Sequence, residues 1–299
     1  VKTAIRPPAV DVFAVGGRRR AKMPFEPGFI PGIQATERAW WFLFRENELL
    51  IDARGGGSAI PRRADFAGLP PPVIAPQSLG RLNGEPAFAA AITNGARMPA
   101  GMQFRSVRSL FGDLTDEVHQ AAGYAFQILD WHRRHHFCSR CGAPLQDKPD
   151  ERARQCRRCD LTVYPRINPC IIVAVVKGDE LLLVRRRGIA AGRYSVIAGY
   201  VEAGETLEDC LRREVLEEAG IRVGRIAYFG SQPWPYSSSL MVAFTAEYAA
   251  GEIRPDGREI SDAGWFRAQC LPPVPGWGSI AGRLIEWFAQ QAPEQAGGA

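Results

Sequence analysis

A chain of 299 residues that is 46% hydrophobic and 23% charged has the composition of a globular protein, with length for about two domains. Its net charge of +5 is mildly basic, which suits an anionic partner without separating a small molecule from a nucleic acid. No apolar run approaches the roughly 20 residues of a membrane-spanning helix, and the longest, Cys170 to Val176, is strand-sized.

The start, VKTAIRPPAVDVFAVGGRRRAK, has its arginines after the apolar part, the wrong order for a secretory signal. Pro7, Pro8 and Asp11 interrupt the amphipathic helix that an organelle transit peptide needs. Residues 1 to about 30 are rich in Pro, Gly and Arg and are expected to be poorly ordered, with Arg18 to Arg20 a solvated tail. Ala39 to Ile51 reads as two strands around a Glu46-Asn47 turn, Pro61 to Pro76 as a proline-dense loop, and Glu85 to Ala91 as another strand. This first third is a small α/β module with no catalytic motif of its own.

Thr115 to His136 predicts a helix. Thr115 is placed to cap it, Asp116 and Glu117 favour its positive end, and Val118, Ala121, Ala122, Ala125 and Leu129 form one face. Arg133, Arg134, His135 and His136 fall in the last turn, where the dipole favours cations over a metal-ligating role. The next residues hold Cys138 and Cys141, then, after fourteen more, Cys156 and Cys159. Two CxxC pairs at this spacing predict a four-thiolate zinc ribbon, and a closed tetrahedron is structural. Arg152, Arg154, Arg157 and Arg158 raise a rival, nucleic-acid-binding reading, but no aromatic stacking platform is interleaved with them. Seven cysteines, four with metal spacing, argue for a reducing cytosol rather than a disulfide scaffold, and Cys170, Cys210 and Cys270 read as buried free thiols.

From Pro169 the pattern turns to strands: Cys170 to Lys177 and Leu181 to Arg185 around a Gly178-Asp179 turn, Tyr194 to Ala198, Ile226 to Gly230, Leu240 to Tyr248 and Ala263 to Phe266. Ser279 to Gln291 closes the chain as an amphipathic helix. Strands around at least two helices predict an α/β/α sandwich. The domain expectation is 1–135 for the N-terminal α/β domain with its closing helix, 136–166 for the ribbon and 167–299 for the sandwich.

Within that last part lies GYVEAGETLEDCLRREVLEEAGI, Gly199 to Ile221. Thr206 with Asp209 marks a helix start, Gly220 a stop, and Leu207, Cys210, Leu211 and Val215 a core-facing side. Glu214 and Glu218 are one turn apart on another face, with Glu217 beside them. Three crowded carboxylates repel unless a cation sits between them, and hard oxygen ligands suit Mg²⁺ or Mn²⁺. The bland reading of such an acid run is a solvated helix face. Against it, Gly199, five residues, Glu205, seven residues and then Arg213 to Ile221 resemble the Nudix box at every fixed position.

The resemblance implies a Nudix fold and a metal-dependent hydrolase of a nucleoside diphosphate linked to another moiety. Ten residues past the box comes a second signal, Ser231-Gln232-Pro233-Trp234-Pro235. Two prolines around a Trp read as a rigid loop forming an aromatic pocket wall, or else as an ordinary proline loop with a packed Trp. SQPWP at this distance, with the ribbon and the N-terminal module before it, resembles the NADH pyrophosphatase (NudC-like) subfamily over nearly the whole chain. Tyr236-Ser237 stand where the family usually has Phe-Pro.

From that resemblance come the site expectations. Glu205, Arg213, Glu214, Glu217 and Glu218 carry catalysis, with Glu217 either a third ligand or the base and Arg213 paired to Glu205. The metal ligands are the Ala198 carbonyl, Glu214, Glu217, Glu218 and Glu259. Substrate contacts fall to Arg108, Tyr164, Tyr200, Gln232, Pro233, Trp234, Pro235, Tyr236, Ser237, Ser238, Ser239 and Ala281. The implied reaction is hydrolysis of NAD(H) to NMN(H) and AMP, with removal of NAD caps from RNA as the same chemistry on a larger substrate. The implied assembly is a homodimer. Rival readings are an ADP-ribose or dinucleoside polyphosphate hydrolase and a non-catalytic nucleotide- or RNA-binding module, the latter opposed by the intact carboxylate set.

Overall fold

The computed structural model describes residues 25–66, 72–95, 98–188 and 192–291. The tail expected at Arg18 to Arg20, and the poorly ordered start up to residue 24, lie outside the described residues. The described residues fall into two compact units, one of 25–166 with 235–238 and one of 167–234 with 239–291.

In the first unit, strands β1 (Phe25–Pro27), β2 (Trp40–Arg45), β3 (Glu48–Asp52), β4 (Ile74–Leu82), β5 (Glu85–Ala91) and β6 (Met102–Ser106) form one sheet in the order β1-β4-β5-β2-β3-β6. Alternation along β2 splits its side chains between two faces. Phe42 and Phe44 go to the side covered by helix α1 (Asp116–Arg134), while Trp41 and Leu43 pack on the other with Leu50 and Phe88. Alanines 121, 122 and 125 let α1 approach that sheet closely. Thr115 holds the extended backbone of a cap position, but its side chain makes no capping bond, so the capping expected of its hydroxyl is corrected. The predicted Pro61–Pro76 loop is also shorter than expected: a 3₁₀ turn occupies Arg63–Phe66, and β4 begins at Ile74. Pro76 is accommodated there because the β4–β5 register shifts between Ile74 and Gln77.

The same unit contains a three-stranded ribbon of β7 (Leu145–Asp147), β8 (Arg154–Cys156) and β9 (Thr162–Val163). Its two cysteine turns close alike. Gly142 and Asp160, each just after a CxxC pair, adopt φ of 73° and 57°, and their N–H groups donate to the Cys138 and Cys156 carbonyls, both at 2.9 Å.

The second unit is built on β10 (Asn168–Lys177), β11 (Glu180–Arg186), β12 (Ile197–Tyr200), β13 (Ile221–Trp234), β14 (Ser239–Gly251) and β15 (Ile260–Arg267), ordered β13-β14-β10-β11-β15 with β12 also on β10. Strand β10 is buried on both sides, which is why it reads as an unbroken apolar run. Ile171, Val173 and Val175 pack under helix α2 (Leu207–Ala219) through Cys210, Leu211, Val215 and Ala219. Ile172, Ala174 and Val176 pack under helix α3 (Ile280–Gln290) through Ile280, Leu284, Ile285 and Phe288. Helices on both faces of the sheet make the α/β/α sandwich. One expected loop is a strand: Gln232, Pro233 and Trp234 pair with Met241, Leu240 and Ser239. Proline is tolerated because β13 is an edge strand. Only Pro235–Ser237 form a 3₁₀ turn.

Candidate active site

The site is organised by α2 and the strand end before it. Thr206 Oγ1 accepts from the Asp209 N–H at 3.1 Å, and Gly220 ends the helix in the left-handed region with φ 72°. The Gly199 backbone passes directly beneath the Glu214 carboxyl group: a Cβ built on Gly199 would lie 1.9 Å from Glu214 Cδ. Glycine is required here for space, not for a positive φ.

Arg213 gathers the carboxylates. Its Nε and Nη2 donate to the two oxygens of Glu205 at 2.6 and 2.9 Å, and its Nη1 to Glu214 Oε1 at 2.9 Å and Glu217 Oε2 at 3.1 Å. Nη2 also donates to the Tyr200 carbonyl at 3.0 Å, tying the helix to β12. Hydrogen bonding from Arg213 first, and then from the Glu202 N–H, holds the Glu205 carboxyl down at about 2.

Deeper in lies Glu218, beside the Ala198 carbonyl, while Glu259 is exposed at the rim. Glu218 is 4% exposed, and burial pushes its carboxyl up to about 7, with Arg186 opposing that rise and Glu214 and Glu259 adding to it. Burial also raises Glu214. Arg186, at the end of β11, donates through Nη2 to Glu218 Oε1 at 2.8 Å and to the Ala198 carbonyl, and its Nη1 is 3.9 Å from Glu259 Oε2. Glu218 Oε2 is buried without a hydrogen-bond partner. An orphaned carboxylate oxygen and a guanidinium drawn between a carbonyl and two carboxylates are what a cation-binding oxygen set produces. The residues therefore fit a divalent ion. Glu217 stands apart, with a side chain 59% exposed against 5% for Glu218. Arg186 is missing from the sequence reading; its signal was a charged side chain closing an apolar strand.

The expected substrate contacts divide between the two units. In the sandwich unit, Tyr200 is half exposed and its hydroxyl is 3.1 Å from Ser239 Oγ. Gln232 is turned into the fold: its Nε2 donates to the Gly278 carbonyl at 3.0 Å and its Oε1 accepts from the Ile280 N–H at 2.7 Å. That anchors the first turn of α3, where Ala281 is buried. Pro233 is exposed and Trp234 half-buried. In the other unit, Tyr164 is exposed and its hydroxyl donates to Glu151 at 3.3 Å. Pro235 packs against Gly123 of α1. Tyr236 lies in the N-terminal core beside Phe126, with its hydroxyl 3.5 Å from His119 Nε2. Burial pushes the Tyr236 phenol up to about 12, against the charge of Arg108. Ser237 is exposed, and Ser238 takes a φ of 51° to turn the chain.

The four ribbon cysteines bring their sulfurs within 4.8 Å of one another, with Cys138–Cys159 and Cys141–Cys156 both at 3.5 Å. Zinc–sulfur bonds of about 2.3 Å in a tetrahedron need sulfurs about 3.8 Å apart, so the set fits zinc. The Arg140 N–H points at Cys138 Sγ from 3.4 Å. The ribbon arginines are largely committed to structure. Arg152 donates to the Gly28 and Ser78 carbonyls, Arg154 to the His135 and Leu145 carbonyls, and Arg157 to Gln146 at 2.8 Å. Cys170 and Cys210 are buried as expected, whereas Cys270 is exposed, because it ends a surface 3₁₀ turn after β15.

Three family models match. The NUDIX domain covers residues 166–288, the NADH pyrophosphatase-like rudimentary NUDIX domain 38–131, and the NADH pyrophosphatase zinc ribbon domain 133–164. A protein named NAD-capped RNA hydrolase NudC from Pseudomonas fluorescens is 44% identical over 217 residues, 73% of this chain and 78% of its own. A protein of the same name from Deinococcus radiodurans is 42% identical over 258 residues, 85% of this chain and 89% of its own. With the box, the ribbon and the N-terminal module all matched, the chain belongs to the NADH pyrophosphatase (NudC-like) subfamily of the Nudix hydrolases.

Proposed function

We propose that the chain hydrolyses the pyrophosphate of NAD(H) to NMN(H) and AMP, and that the same cut removes NAD caps from RNA 5′ ends. The observation that supports this reading is the Arg186 guanidinium held by Glu218 and the Ala198 carbonyl with Glu259 3.9 Å away, a cation among oxygen donors next to the carboxylate-bearing helix. Relatives named NAD-capped RNA hydrolase direct that hydrolytic chemistry to this substrate class. Attack at phosphorus needs positioning and charge neutralisation more than covalent help.

Glu214, Glu217, Glu218, Glu259 and the Ala198 carbonyl would hold Mg²⁺ or Mn²⁺. Such an ion, when bound, neutralises phosphate charge and acidifies an attacking water. The protein's own part is to hold those oxygens in place: Arg213 clamps Glu205, Glu214 and Glu217, and Gly199 leaves room for Glu214. Glu217, the most exposed of the three box glutamates on α2, is either a further ligand or the base that takes the proton of water. Tyr200 in the sandwich unit, and separately Tyr164 in the other unit, each present an exposed ring of the kind that stacks on a base. Gln232 and Tyr236 serve by fixing the backbone around Trp234 and Pro235. Zinc held by Cys138, Cys141, Cys156 and Cys159 would serve the fold rather than the chemistry, since four thiolates complete its usual ligand set.

The remaining parts of this reading are a cytoplasmic homodimer and the partition into 1–135, 136–166 and 167–299. A substrate panel tests the function: NADH, NAD⁺, ADP-ribose, diadenosine polyphosphate and NAD-capped RNA, with Mg²⁺ or Mn²⁺ and products separated by chromatography. NMN(H) and AMP from NADH, and a monophosphate end from capped RNA, are expected, with turnover lost in Glu218→Gln. Faster cleavage of ADP-ribose than of any NAD substrate would reject the reading.

A further inference from the structure

The Arg186 side chain is placed by a distortion of the sheet. Strands β11 and β15 run in regular register from Glu180↔Arg267 to Arg185↔Asp262, and then Arg186 pairs with Ile260. Ser261 is the extra residue, and its hydroxyl donates to the Arg185 carbonyl at 3.1 Å. A bulge re-aims the side chain beside it, and here that side chain is Arg186.

Its guanidinium meets the Ala198 carbonyl, Glu218 and Glu259, three of the oxygen donors assigned above to the divalent ion. The contact satisfies only one Glu218 oxygen, since Oε2 is left buried without a partner. The Arg186 side chain is 33% exposed, so it can leave without opening either core cluster beneath α2 or α3.

We propose that Arg186 is an internal cation of this site: its guanidinium competes with the divalent ion for the same acceptors and swings out as the ion binds. This rests on the metal-dependent reading of the site. An uncompensated Glu218 is costly in a buried position, and the guanidinium supplies the compensating charge while no metal is bound. Metal loading is therefore an exchange of one cation for another.

The test is Mn²⁺ binding to the full-length, zinc-replete protein, followed by electron paramagnetic resonance of the free ion. Arg186→Gln is expected to bind Mn²⁺ roughly tenfold more tightly than wild type, within the usual range for coupled binding events. Its melting temperature is expected to be lower than wild type without Mn²⁺ and to rise further when Mn²⁺ is added. Arg185→Gln removes the same charge from a side chain paired instead with Asp262 at 3.7 Å, and its Mn²⁺ affinity is expected to stay within about twofold. Should Arg186→Gln fold poorly, Arg186→Lys keeps the charge but loses the fork, and it is expected to show a smaller tightening. An Mn²⁺ affinity unchanged or weakened in Arg186→Gln, or tightened equally in Arg185→Gln, overturns the proposal even if NADH is cleaved. A wild type that does not cleave NADH rejects the functional reading instead, and the Mn²⁺ comparison still decides Arg186.

Discussion

The carboxyl group of Glu214 rests on the α-carbon of Gly199, so close that a methyl group there would sit 2.1 Å from Oε1. Gly199→Ala therefore cannot be absorbed by a small shift. The carboxyl group must rotate away and leave its bond from Arg213. A displacement of this kind in a carboxylate of the site costs on the order of a hundredfold in turnover. The expected outcome is a fall in kcat of at least about that size, with a thermal unfolding curve close to wild type. Steady-state kinetics beside circular dichroism melts check it, and a variant retaining kcat would show that Glu214 does not work from this position.

Tyr236 stands where the family usually has Phe, and its ring packs against the N-terminal core. Tyr236→Phe keeps the ring and loses only a hydroxyl 3.5 Å from His119, so stability is expected to stay within about 1 kcal/mol. Tyr236→Ala leaves a cavity beside Phe126 and is expected to cost about 2–4 kcal/mol. Urea denaturation measures both. A Tyr236→Phe variant with wild-type stability but an altered order of substrates would return Tyr236 to the binding surface.

What could be read in advance was whatever local chemistry encodes. Thr206 and Gly220 mark the ends of α2 by their own hydrogen bonding and φ. The CxxC pairs set sulfur spacing within two short turns. What escaped depends on partners distant in sequence. Arg186 reaches the acid cluster because of a bulge set by Ser261. Tyr236 packs against a helix whose His119 lies 117 residues away. Ser231 to Trp234 are extended because β14 pairs with them, overriding a proline pattern that reads as a loop. Strand β4 hides for the same reason, since Pro76 is rescued by a register shift against β5.

The zinc reading has its own test. Cys138 is buried in the small ribbon core with Leu145 and Cys156, which is too small to fold on apolar burial alone. Elemental analysis is expected to find stoichiometric zinc in wild type and to lose it in Cys138→Ser, whose melting temperature is expected to fall. Since the site is closed, replacing zinc by Co²⁺ is expected to leave turnover little changed while Mg²⁺ is supplied separately. Undiminished zinc in Cys138→Ser would remove the assignment.

His132 supplies a pH dependence that is separate from the acid cluster. It is buried at the end of α1, 3.8 Å from Asp147 of β7 and edge-on to Trp131. Burial pushes its imidazole down to about 4; Arg154, Arg152 and His136 act in the same direction, and Asp147 opposes them. In the unfolded chain an ordinary histidine titrates near 6.5, so both states are neutral above that value. Between about 6.5 and 4 the unfolded chain takes up a proton that the folded one refuses. Stability from this residue is therefore complete above about pH 6.5 and is lost as pH falls toward 4, by at most about 3 kcal/mol. Urea midpoints at pH 7.5, 6 and 5 measure the loss in wild type, and His132→Gln is expected to flatten it. Protonation of the ribbon thiolates is common to both proteins, so the difference between their slopes isolates His132. Coincident slopes would assign the acid sensitivity elsewhere.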